Sequence, residues 1–90
     1  MAEEEVAEYM KKVEGWATDN KKINKTFKFV DFKEAMKFVN EVADLAEDEG
    51  HHPNINISYN EVEIILWTHA IDGLSTNDFI LAAKIDEINL

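Results

Sequence analysis

The chain contains no cysteine and no arginine, and only one proline and three glycines among its 90 residues. Without cysteine there is no disulfide framework, no thiolate metal site and no cysteine nucleophile, so folding must rest on packing, and the composition fits a reducing compartment. Positive charge comes from nine lysines alone, against nineteen acidic side chains, for a formal net charge of -10. That surplus repels phosphate backbones and anionic membranes, which disfavours direct nucleic-acid binding; it also serves solubility with no partner involved. Long apolar runs are missing as well. No segment approaches the length of a membrane span, and the start Met1-Ala2-Glu3-Glu4-Glu5 lacks the basic residues and apolar run of a secretory signal. We expect a soluble, cytoplasmic protein. Ninety residues suit one domain, residues 1–90, with a single modest core.

What is present is clear hydrophobic periodicity. Val6, Met10 and Val13 fall at helical spacing, with Gly15 as a stop. Trp16 follows, and Ala17 to Lys22 reads as a turn or a short edge strand. From Ile23 the period changes to two, with Ile23, Phe27 and Phe29 on one face and Asn24, Thr26 and Lys28 on the other. Asp31 with Glu34 three residues later resembles a capping box, so a second helix should begin at Phe32. Its residues Phe32, Ala35, Met36, Val39, Val42, Ala43 and Ala46 make a stripe about 120° wide at 100° per residue. Phe38 and Leu45 widen it towards 180°. Either they pack under a neighbouring helix of the same chain or the extra edge joins a second subunit, giving a homodimer or homotetramer through the second helix. Gly50 suits the left-handed position that ends this helix.

After Pro53, the alternating runs Ile55, Ile57, Tyr59 and Val62, Ile64, Leu66, Thr68 flank Asn60-Glu61, which reads as a hairpin turn. Ile65 and Trp67 interrupt the polar face and hint at a pocket or subunit contact. Ser75 and Asp78 make another cap-like pair before a third helix carrying Phe79, Leu81, Ala82, Ile85 and Ile88. The expected fold is α+β, a four-stranded antiparallel sheet with three helices on one face, in the order α-β-β-α-β-β-α. A turn at Asn60-Glu61 sets Tyr59 opposite Val62, Ile57 opposite Ile64, Ile55 opposite Leu66 and His52 opposite His69. Residues so paired share a face, about 5 Å apart at Cβ. Two imidazoles together, titrating near neutral pH, suit proton transfer, while the direction of His51 beside Pro53 stays open.

Glu47, His51-His52-Pro53, Tyr59, His69 and Asp78, at their spacings, resemble the signature of the pterin-4a-carbinolamine dehydratases. Phe27-Lys28-Phe29-Val30-Asp31-Phe32, the helix after it, and Gly73-Leu74-Ser75 with Asp78-Phe79 extend the resemblance over most of the chain from Trp16 onward. The resemblance implies removal of water from a 4a-hydroxytetrahydropterin to give the quinonoid dihydropterin. It implies His51 and His69 as the acid/base pair, His52 as a substrate holder, a small-molecule pterin as the partner, and no metal or organic cofactor. Bare spacing would pair His52 with His69 in the chemistry just as readily. Asp78 either serves the start of the third helix or orients His69. Glu47 would accept from pterin N–H groups, Trp16 would wall the pocket and Tyr59 would pack in the sheet.

Two other readings compete. Three imidazoles with an open position would make a metal-dependent hydrolase, although adjacent His51 and His52 are awkward ligands for one ion. A non-catalytic, oligomerising interaction or coactivator module would leave the histidines incidental.

Overall fold

The computed structural model describes residues 1–88. Its elements are α1 (Glu3–Met10), β1 (Ala17–Thr18), β2 (Ile23–Lys28), α2 (Phe32–Glu49), β3 (Asn54–Ser58), β4 (Glu61–Leu66), a 3-10 turn (His69–Ile71) and α3 (Thr76–Asp86). The strands form one antiparallel sheet in the order β1-β2-β4-β3, so the expected α+β fold is the observed one. Alternation along β2 and β4 turns Ile23, Val62, Ile64 and Leu66 inward. There they are buried with Val6 of α1, Ala35, Phe38, Val42 and Ala46 of α2, and Phe79, Leu81, Ala82 and Ile85 of α3.

Both predicted ends of α2 are present. The Asp31 carboxylate accepts from the Glu34 amide at 2.9 Å, and Gly50 closes the helix at φ 62°. Of the predicted stripe Ala35, Val42 and Ala46 are buried, and of the two readings left open for its widened edge the structure packs Phe38 within the chain. Phe38 is fully buried, its ring 4.5 Å from that of Phe27 and 5.1 Å from that of Phe29. The inward aromatics of β2 and its extension draw Phe38 into the core, so Phe38 gives no ground for a subunit contact. Leu45 is half-buried beside α3, in a groove it shares with Lys84 and Ile88. What the chain leaves less covered is the other border of the stripe, with Phe32 and Ala43 exposed and Met36 and Val39 half-buried. That border lies roughly 85° round the helix from the buried centre at 100° per residue.

The β3–β4 turn also differs. Ser58 pairs with Glu61, Ile57 with Val62 and Ile55 with Ile64, so the turn residues are Tyr59 and Asn60 rather than Asn60 and Glu61. Asn60 is tied to the end of β2: its carbonyl accepts from the Phe29 amide at 2.8 Å, and its side chain donates to the Phe29 carbonyl at 2.9 Å. Glu61 is held in β4 opposite Lys28, with which it also forms an ion pair. Tyr59 therefore takes the positive φ, 49°, and is exposed instead of packing in the sheet. A register change of two residues leaves every side chain on its predicted face.

In the β1–β2 loop, amides of Lys21 and Lys22 donate to the Asp19 carboxylate and hold its pKa below the ordinary carboxylate value. Truncating Phe38 to alanine should lower stability by about 3–5 kcal/mol, read from urea unfolding. A loss under about 1 kcal/mol would contradict its place in the core.

Candidate active site

The close of α2 aims His51. With Gly50 left-handed, the His51 amide donates to the Ala46 carbonyl at 3.1 Å, and the imidazole turns back towards the start of α3. There His51 Nε2 stands 2.5 Å from Asp78 Oδ1. The Asp78 side chain is 0% exposed and that of His51 only 16%. The other carboxylate oxygen, Oδ2, accepts from the Ser75 amide at 2.9 Å and from the Thr68 hydroxyl at 3.0 Å. Thr68 Oγ1 in turn lies 2.6 Å from Ser75 Oγ, and since Thr68 spends its hydrogen on Asp78, Ser75 donates to Thr68. A buried carboxylate with three donors is satisfied, and it accepts only. Against an ionised Asp78, His51 therefore carries a hydrogen on Nε2, and in the neutral ring Nδ1 keeps its lone pair.

Asp78 thus both serves the start of α3 and orients a histidine, and that histidine is His51 rather than His69. Nor do His52 and His69 form the expected cross-strand pair. β3 begins only at Asn54 and β4 ends at Leu66, so neither histidine belongs to the ladder. His52 Nε2 lies 2.5 Å from Glu47 Oε2, five residues back on α2, with both side chains open to solvent. His69 opens the 3-10 turn and stacks on Trp67, ring centroids 4.3 Å apart and planes at 24°. It is joined to the His51 cluster through its neighbour Thr68, which bonds Asp78 and is bridged to Gly73.

Trp16 is 7% exposed and belongs to the core, edge-on to Phe27, with its indole N–H donating to Asp86 Oδ2 at 2.9 Å. Lys25 completes that anchor on Asp86 Oδ1. Asp86 is eight residues beyond Asp78, about 12 Å along α3, so Trp16 is anchored at the end of the helix away from the residue that meets His51. Among the described residues, no three His, Asp or Glu side chains converge as metal ligands.

Spacing marks Trp67 only as a hint of a pocket or subunit contact and Ser75 only as a helix cap, and it does not mark Thr68 as a site residue. Thr68 carried a usable signal: it continues the inward set Val62, Ile64 and Leu66, and a hydroxyl on an apolar face needs a buried partner.

These features define an α+β domain in which a buried carboxylate fixes one imidazole, and a second imidazole directly follows the threonine whose hydroxyl bonds that carboxylate, an arrangement suited to acid/base chemistry. The family model described as "Pterin 4 alpha carbinolamine dehydratase" matches residues 1–88, and the chain belongs to that family. It is 44% identical over 95 residues to "Pterin-4-alpha-carbinolamine dehydratase 2, mitochondrial" of Arabidopsis thaliana, covering 100% of this chain and 51% of that protein, so the chain spans about half the length of this relative. Among solved structures, it superposes with a TM-score of 0.89 and 34% identity on a transcriptional coactivator/pterin dehydratase from Brucella melitensis, covering 96% of this chain and 94% of that one. A pterin dehydratase-like protein, described as a RuBisCO assembly factor in the alpha-carboxysome, matches at a TM-score of 0.65 and 26% identity, over 79% and 82% of the chains.

Replacing Asp78 with asparagine tests the network. Thr68 and Ser75 both donate to the Oδ2 position, so the amide oxygen should stay there and the amide nitrogen should face His51. The His51 hydrogen should then move from Nε2 to Nδ1, visible in imidazole 15N shifts. An unchanged tautomer would contradict the assignment.

Proposed function

We propose that this protein is a hydro-lyase that removes water from a 4a-hydroxytetrahydropterin, giving the quinonoid dihydropterin. Family membership supports the substrate class, and the observation that carries the chemistry is the hydrogen bond between His51 and buried Asp78. In the elimination the C4a–O bond breaks as a proton reaches the leaving hydroxyl. A proton leaves the adjacent ring nitrogen, and its electron pair forms the new C=N bond. With Nε2–H committed to Asp78, His51 offers Nδ1 as the base. His69, whose ring has no hydrogen-bond partner among the described residues, delivers the proton to the hydroxyl. Glu47 and His52 hold the substrate at the open rim, where the carboxylate accepts from pterin N–H groups. No metal or organic cofactor enters the scheme. The cysteine-free composition accords with a cytoplasmic setting.

Removing one positioned proton donor or acceptor commonly costs about 10²-fold to 10⁴-fold in rate, so His51→Ala and His69→Ala should each lose that much dehydration activity over the spontaneous reaction while staying folded. His52→Ala should raise KM more than it lowers kcat. Near-native turnover by both the His51 and the His69 variants would remove the site from the reaction.

Self-association through α2 belongs to the same proposal, by way of the less covered border Phe32, Met36, Val39 and Ala43, spaced four, three and four residues apart. Met36→Glu combined with Ala43→Glu should sediment as a smaller species than the native protein. A native protein already monomeric at micromolar concentration would contradict this.

A further inference from the structure

The three histidines are held in different ways. His51 and His52 each set a carboxylate on Nε2, whereas the ring of His69 has no hydrogen-bond partner among the described residues and lies exposed on a short 3-10 turn. An exposed imidazole without such a bond would rotate freely unless packing held it. Trp67 supplies that packing, its ring stacked on His69 at 4.3 Å and 24°. The indole is itself held on the outer face of the sheet. Ile23 pairs with Leu66, and one step further along the same register Lys22 meets Trp67, its ammonium 4.2 Å from the ring centroid. Trp67 is only half-buried and Ile65 lies two residues before it on the same face, so the indole forms the end of an apolar strip on an otherwise polar surface.

We propose that Trp67 is a positioning residue for His69: the indole sets the plane of the imidazole and leaves both ring nitrogens free for the substrate. The assignment rests on the reading of His69 as a proton-transfer group. The logic complements that at His51. A carboxylate orients a ring by occupying one nitrogen and so fixes its tautomer, which suits a group with a single task. A stacked indole orients without occupying a nitrogen, so the ring is free to give up a proton from one nitrogen and be reprotonated at either in the next turnover. Stacking of this kind carries a modest energy, and it is geometry that the reaction needs from it.

The test compares Trp67→Leu, Trp67→Phe and His69→Ala with the native protein, by kcat and KM for carbinolamine dehydration, urea midpoint and the ring-proton shifts of His69. The native His69 ring protons should be moved upfield by the indole and return downfield in Trp67→Leu. For that variant kcat should fall about 10²-fold, the scale expected when a catalytic group is displaced by about 1 Å, with little change in KM. Trp67→Phe, which keeps a stacking ring, should recover most of the loss. Native kcat in Trp67→Leu beside an impaired His69→Ala would overturn the positioning role alone. A loss of kcat that Phe does not restore, a loss that tracks the urea midpoint, or native His69 protons without an upfield shift would overturn it too. Full activity in His69→Ala would instead sink the underlying reading of His69.

Discussion

A single buried carboxylate holds this site together. Asp78 has no solvent exposure, so its charge must be met entirely by protein donors, and those donors come from three separate parts of the chain. His51 follows the end of α2, Thr68 continues β4, and the Ser75 amide begins α3. Removing one of these donors leaves a buried acceptor short of a partner and costs about 1–3 kcal/mol, a noticeable part of the stability of a small domain. The constraint therefore runs both ways. The fold must bring the three segments together to keep Asp78 satisfied, and Asp78 then fixes the tautomer of His51.

The same economy explains the division between the ends of the molecule. At the histidine end the chain leaves the ladder early, at Asn54 and Leu66, and the segments beyond are shaped by side-chain bonds and by the left-handed residues Gly50 and Asp72. At the other end, Asn60 clamps the hairpin to Phe29 and the sheet is regular up to its turn. The Trp16 and Lys25 bonds to Asp86 anchor the far turn of α3, so the helix that presents Asp78 is fixed at both ends.

Much of the architecture was legible because it follows from periodicity and caps. The period-two runs marked the inward residues of β2 and β4, Asp31 and Gly50 marked α2, and Ser75 with Asp78 marked α3. Less was legible where a choice depended on long-range contacts. Both Asn60-Glu61 and Tyr59-Asn60 close a two-residue turn with the same faces, and the bonds of Asn60 to Phe29 and the pairing of Glu61 with Lys28 decide between them. The stripe of α2 was wide enough to rest on either border, and the aromatics of β2 chose Phe38. At the site, spacing singled out the three histidines, Glu47 and Asp78, but their pairing came from irregular backbone at the ends of strands, which no alternation rule describes. Hence Asp78 meets His51, His52 meets Glu47, and Trp16 turns into the core.

In the proposed mechanism the Asp78–His51 pair is the fixed half of a pterin site whose other half is His69. A crystal structure with a bound dihydropterin tests this most directly. The account predicts the ring system lodged between His51 and His69, with His51 Nε2 still on Asp78 and Nδ1 turned towards the pterin. A pterin bound away from these residues, or a His51 ring swung off Asp78 to receive it, would contradict the account.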